Sequence, residues 1–151
     1  GTTATPTLAT AGIAINVVPA TASVQVDVRA RTVAEQERVD ASMQRLQPKT
    51  PGARIVVSGG PDRPPLEERH ARPLFERARA LASAAGIGEL EAVEVGGGSD
   101  GNITAALGTP TLDGLGAVGG GAHAVDEHIV LSAMQPRTNL VRLLLHDLLQ
   151  R

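Results

Sequence analysis

At 151 residues and a net charge of -2, the chain is the size of one ordinary domain or two small lobes, and it carries no basic excess that would draw it to nucleic acid or a membrane surface. Phe75 is its only aromatic residue, which removes the stacking platforms that single-stranded nucleic acid needs, and no apolar run is long enough for a membrane span. Cysteine is absent, so disulfides, thiolate zinc sites and thiol nucleophiles are excluded, and any metal falls to His, Asp and Glu.

The chain opens Gly1-Thr2-Thr3, without an initiator methionine or a signal peptide, and is expected to be a piece of a longer protein. Residues 5–31 read as β-structure. Val24, Val26 and Val28 alternate with Gln25, Asp27 and Arg29, while Ile13, Ile15 and Val17 alternate with Ala14 and Asn16. A hairpin turning at Pro19-Ala20-Thr21 would put Asn16 and Arg29 on one polar face. Thr32-Val33-Ala34-Glu35 is a capping-box sequence, and Val39, Met43 and Leu46 continue it at helical spacing until Pro48. "RIVVSG", Arg54 to Gly59, predicts a strand.

The Pro-rich, charged stretch from Gly59 to His70 can propagate neither a ladder nor a helix and reads as a linker. Pro73 then suits a first helical turn, Leu74, Ala78, Leu81, Ala82 and Ala85 form an apolar stripe, and Gly86 ends it. "ELEAVEV", Glu89 to Val95, predicts a strand running into Gly96-Gly97-Gly98. Ser99 or Asp100 should cap a short helix closed by Gly108, and "TPTLDGLG", Thr109 to Gly116, is strand-like. Ser132 begins a last helix with a core face of Leu140, Val141, Leu144, Leu145 and Leu148. The alternation of strands and helices predicts an α/β second lobe.

Two glycine-rich stretches carry the residues with chemistry. "VEVGGGSDGN" follows a predicted strand and opens a helix; it could hold an anion on free N–H groups, or be a tight capped turn. It matches neither the dinucleotide nor the P-loop pattern, so a nucleotide-binding α/β domain is the weakest reading. "GGGAHAVDEH" delivers His123 from bare backbone, with Asp126 and Glu127 placed to orient a ligand imidazole. A metal ligand is favoured there over an ordinary loop histidine.

"INVVPATASVQVDVR", "GGGSDGN" and "GTPTLDGLGAVGGGAHAVDEH", in this order along nearly the whole chain, resemble the metallopeptidase M20 family, most closely its glutamate carboxypeptidase branch. The resemblance implies a zinc amidohydrolase whose α/β catalytic domain is interrupted by a ferredoxin-like lid that also mediates dimerisation. Residues 1–63 would be the second part of that lid, and 64–151 the C-terminal section of the catalytic domain. His123 matches the family's last metal ligand. Asn16 matches the lid asparagine that reaches toward substrate, often in the partner subunit's site. Arg29 matches the arginine that pairs with the substrate's terminal carboxylate, a task suited to a planar fork of donors. Gly97, Gly98 and Ser99 would border the substrate.

The family's H-x-D motif has no counterpart in the chain. Its bridging aspartate and glutamate pair belong upstream of the lid, and Glu67-Glu68 lies after the lid and reads as a solvated helix approach. The resemblance therefore implies a zinc site of two ions to which this chain brings His123, with no catalytic residue of its own and no activity alone. The expected substrate is a peptide or N-acyl amino acid, the expected assembly a homodimer, and the compartment cytoplasmic or periplasmic. The competing class is a non-enzymatic dimerisation or binding module derived from the same family.

Overall fold

The structure is a computed structural model and describes residues 1–150. Its elements run β1 (Thr3–Ala11), β2 (Ala22–Arg29), α1 (Val33–Gln44), α2 (Glu68–Ala84), α3 (Gly101–Ala106), β3 (Gly119–Gly120), β4 (His128–Ile129) and α4 (Leu131–Leu149). Helices are thus mixed with two small antiparallel sheets, β1–β2 and β3–β4. The chain divides into two units, one of residues 1–66 with 96–98, the other of residues 67–95 with 99–151.

In the first unit the hairpin differs from expectation. β2 forms where the valine alternation predicts it, but it pairs with Thr3–Ala11, from Thr3 opposite Arg29 to Ala11 opposite Ala22. The register shifts between Pro6 and Leu8, as a strand containing a proline without an N–H donor allows. Ile13–Val17 lies instead in the long connection between the strands, where Ile13 and Ile15 are fully exposed. Alternation there is a local pattern with no partner to make a ladder. Gly12 opens the connection at φ +69°, with the Pro19 ring so close that a Cβ would stand 3.2 Å from its Cγ.

Thr32 caps α1 as its sequence predicts, its hydroxyl accepting the Glu35 N–H at 3.2 Å. The Glu35 carboxylate completes no reciprocal bond. It takes both Arg38 N–H groups at 2.9 Å and the Thr2 hydroxyl at 3.0 Å, so that β1's approach is tied to α1. Arg54–Gly59 forms no ladder, and neither do Glu89–Val95 or Thr109–Gly116 in the second unit.

The second unit holds the core. Ala78 and Ala82 of α2 and Leu140 and Leu144 of α4 are buried against one another, with Leu81, Ile87, Leu90, Leu112 and Leu115 packed around them. Alanines at i and i+4 let the leucines of the facing helix approach closely. Arg77 adds an ion pair to Asp147 across the same helix pair. α2 starts at Glu68, inside the stretch read as linker, and Pro73 therefore sits within the helix rather than in its first turn. Glu68 gains an i,i+4 partner in Arg72 at 2.6 Å, which helps the helix extend backwards. α4 begins at Leu131 and likewise contains a proline, Pro136, near its start. Of its predicted core face, Leu140 and Leu144 are buried, while Leu145 stays 55% exposed.

Two outcomes follow from this packing. Leu140→Ala should lower unfolding stability in urea by about 2–5 kcal/mol, since Leu140 is fully buried and small alanines opposite it cannot close the void. The Glu35 carboxyl is held at about 2, below its ordinary 4.5, by hydrogen bonds from Arg38 and then Thr2. A depressed carboxyl contributes stability that is fully present above its unfolded value and is lost as pH falls toward the folded one. Glu35→Gln should therefore flatten the acid limb of the first unit's melting profile between pH 4.5 and 2, measured by circular dichroism.

Candidate functional site

In the first unit two guanidinium groups lie over the first glycine run. Arg29, the last residue of β2, donates from Nε to Asp27 at 2.8 Å and from Nη1 to the Gly96 carbonyl at 3.0 Å. Asp27 holds its guanidinium more firmly protonated than usual, through the hydrogen bond first and their charges second. Its Nη2 edge makes no bond among the described residues and stays open to a carboxylate. A Cβ at Gly96 would come within 3.3 Å of Arg29 Nη1, and one at Gly98 within 3.0 Å of Arg63 Cδ. The absence of side chains on this run is what lets both arginines lie against backbone.

Arg63 lies outside every motif that the sequence offers. It stands in Pro61-Asp62-Arg63-Pro64-Pro65, which reads as a linker, yet Gln36 of α1 donates to its carbonyl at 2.8 Å and fixes the segment. A charged residue bracketed by prolines was the available signal, since such a backbone is stiff rather than free.

Asn16 does not share a face with Arg29, because it belongs to no strand. It lies in a turn in which the Val17 N–H reaches the Ala14 carbonyl at 3.4 Å, beyond the Ala11–Ala22 end of the hairpin. Arg29 marks the opposite end. From Ala22 to Arg29 the strand runs seven steps, about 23 Å at strand rise. Both side chains are exposed.

In the second unit the Ser99 hydroxyl donates to Asp113 Oδ2 at 2.5 Å and accepts the Gly101 N–H at 3.1 Å. Ser99 therefore does the capping expected at the start of α3, although Asp100 is the first flanking residue and its side chain caps nothing. Asn102 returns its side-chain oxygen to the Ser99 N–H at 2.9 Å. The hydroxyl proton is committed to Asp113, which leaves Ser99 as an acceptor toward anything that approaches.

His123 projects from the connection between β3 and β4. Gly119 and Gly120 pair with Ile129 and His128, and the Val130 N–H extends the ladder to the Val118 carbonyl at 2.8 Å. A Cβ at Gly119 would collide with the His128 backbone, so this crossing requires glycine. The Ala124 N–H closes a turn onto the Gly121 carbonyl at 2.7 Å, with His123 in its third position at φ +66°. Glycine is the usual occupant of such a position, and histidine tolerates it better than most residues. The carboxylates serve the loop and not the ring: Glu127 accepts the His123 backbone N–H at 3.3 Å, and no carboxylate bonds the His123 imidazole among the described residues. That imidazole is exposed and makes no hydrogen bond among the described residues. No group of three His, Asp or Glu side chains close enough to hold a metal occurs among the described residues, and no helix is long and apolar enough to cross a membrane.

His123→Gly should raise the stability of the second unit by up to about 1 kcal/mol in urea, by relieving the left-handed backbone. An unchanged or lower midpoint would mean that the turn is not strained by the imidazole.

Residues 3–147 match the family model of peptidase family M20/M25/M40. Carboxypeptidase G2 from Pseudomonas sp. (strain RS-16) is 34% identical to the chain over 150 residues, covering 94% of the chain and 35% of that protein. The chain thus spans about a third of this relative's length.

Proposed function

The chain belongs to peptidase family M20/M25/M40, and from that premise we propose that it is the C-terminal portion of a zinc-dependent carboxypeptidase that cleaves an amide bond next to a free carboxylate. Its first residues, to about Arg63, would be the second part of a ferredoxin-like lid, and the rest the end of the catalytic domain. The observation that carries the reading is the family match over nearly the whole chain, set against a relative about three times as long. The segments with strand patterns but no ladder support it, because they are suited to sheets completed by other parts of a larger protein.

The residues fit the roles proposed for them. A neutral imidazole is an ordinary zinc ligand, and that of His123 is exposed on a turn fixed by backbone hydrogen bonds. It would supply one ligand, the others and the general base coming from elsewhere in the whole protein. A bound zinc ion supplies the Lewis acidity that polarises an amide carbonyl and acidifies water. Arg29, with an open guanidinium edge, would take the substrate's terminal carboxylate. Arg63, over the same glycine run, would add a second positive charge, which favours a substrate residue with an acidic side chain. Asn16 lies in the connection beyond the end of the hairpin opposite to Arg29, which suits a role at a different site from Arg29 of the same subunit. In a homodimer it would serve the partner's site.

Three measurements test this. The 151-residue chain alone, purified with zinc, should not hydrolyse N-acyl glutamates; turnover that disappears in His123→Ala would overturn the portion reading. In the whole protein Arg29→Ala should raise KM at least about tenfold with less effect on kcat, as expected for a lost charge-assisted pair. Mixing whole-protein Asn16→Ala with His123→Ala should restore activity in heterodimers if Asn16 acts across the dimer, and none if it acts within its own subunit. A whole protein that neither takes up zinc nor hydrolyses an amide would leave the dimerisation module as the reading.

A further inference from the structure

The turn Asp113–Gly116 is gripped from both sides. Asp113 Oδ2 accepts the Ser99 hydroxyl at 2.5 Å, and its Oδ1 accepts the Gly114 N–H at 2.7 Å. From the other side, Arg137 of α4 donates from Nε to the Gly116 carbonyl at 3.1 Å and from Nη2 to the Gly114 carbonyl. Arg137 is half-buried and sits one helical turn before the buried Leu140, on a helix that carries the buried core. Gly114, at φ +75°, lets its carbonyl turn toward the guanidinium.

Two segments leave this turn. One is the Ser99–Asn102 turn that opens α3. It is joined to the turn by the Ser99 hydroxyl and, a turn further on, by the 3.0 Å contact between the Thr104 and Thr111 hydroxyls. Gly101 packs beneath the Ser99–Asp113 bond, since a Cβ there would lie 3.0 Å from Ser99 Oγ and 3.2 Å from Thr111 Cγ2. The other segment runs two residues from Gly116 to Val118, the first residue of the ladder that presents His123.

We propose that Arg137 and Asp113 are positioning residues: through the Asp113–Gly116 turn they hold the Ser99–Asn102 turn and the His123 loop as one rigid piece anchored on α4. A surface arginine kept only for solubility would not have both donating edges on the carbonyls of one short turn. Nor would an exposed aspartate need both oxygens on backbone-determining partners. A guanidinium can bridge two carbonyls at once where an ammonium ion reaches one, so the residue type matters as much as its charge. The consequence for chemistry rests on the reading of His123 as a zinc ligand; the mechanical coupling does not.

The two are tested separately. Amide hydrogen exchange of the 151-residue chain, followed by NMR, requires no zinc. Arg137→Ala should speed exchange about tenfold or more at Gly101, Ala124 and Val130, with the amides around Ala78 and Leu140 unchanged. Arg137→Lys should give an intermediate change at the same three amides, and it decides the matter should the alanine variant unfold. Asp113→Ala should free Gly101 more than Ala124, and Asp113→Asn should restore Gly101, because its amide can still serve both Gly114 and Ser99. Exchange confined to Gly114–Gly116 in both Arg137 variants would overturn the coupling. In the whole protein, Arg137→Ala should weaken zinc binding about tenfold, the effect of losing an outer support of a ligand. Unchanged zinc affinity beside a loosened His123 loop would overturn the positioning role. Failure of His123→Ala to alter zinc uptake would instead overturn the ligand reading and leave the exchange result standing.

Discussion

Burial of Ala78 and Ala82 against Leu140 and Leu144 is the contact on which the second unit depends. Each buried leucine contributes about 1.5–3 kcal/mol, and the alanines contribute by letting the helices come close. Arg77 and Asp147 fix the helices' relative register at one end of this seam. Everything else in the unit hangs from it. Ile87 and Leu90 pack back on it after α2 ends, and Leu112 and Leu115 bring the Thr109–Gly116 segment onto it. Leu112 and Leu115 flank Asp113 and Gly114, so the turn that Arg137 grips is pinned by apolar contact and by hydrogen bonds together. The loops are thus tied back to the helix pair, the usual relation between a scaffold and the segments it carries.

The first unit is built on the opposite terms. Its hairpin and helix bury no residue fully, and the valines of β2 grade from 57% exposed at Val24 to 37% at Val26 and half-buried at Val28. The gradient follows distance from the Arg29 end, where Thr2, Glu35 and Arg38 tie strand and helix together. Polar contacts therefore hold what apolar burial does not. Ile13, Ile15 and Val18 lie exposed on the connection between the strands, as do Ile55 and Val56 beyond α1. Such residues gain little from burial within their own unit.

How much could be read from the sequence depended on whether the deciding interaction was local. The Thr32 cap, the β2 alternation, the stripes of α2 and α4 and the closure of α3 by Gly108 all depend on neighbours within a turn or two and were legible, although Ala85, Leu145 and Leu148 of those stripes stay exposed. The partner of β2 was not. Thr-Ala-Thr-Pro-Thr-Leu-Ala-Thr-Ala has small residues and a proline where an apolar face would announce a strand, and it is chosen by pairing rather than by pattern. Ile13–Val17 shows the converse, a pattern without a partner. Arg54–Gly59 and Glu89–Val95 repeat that lesson, since a strand exists only where another chain segment accepts its hydrogen bonds. The site divides in the same way. His123, Arg29 and Asn16 stood out through the motifs that carry them. Asp113 and Arg137 bond a hydroxyl and carbonyls many residues away, Arg63 lies over Gly98, and nothing in their immediate surroundings announces it.

The two glycine runs resolve into different physical needs. At Gly96 and Gly98 the missing Cβ makes room for arginine side chains, so bare backbone there serves charge. At Gly119 it makes room for another backbone, because the β3–β4 crossing is too close for any side chain. Gly121, at φ +68°, then begins the turn that throws His123 outward, and the Asp126 carbonyl and carboxylate crowd the place where its Cβ would be. A two-residue ladder is marginal by itself. It holds here because Val130 runs directly into α4 and Val118 follows a turn clamped to α4, so both strands start from the same helix. The imidazole is thus exposed on a turn whose backbone hydrogen bonds are made. An exposed ring without a hydrogen bond among the described residues, on a backbone conformation that disfavours it, is a poor choice for stability alone; on the reading of His123 proposed above, its direction is what the loop would keep.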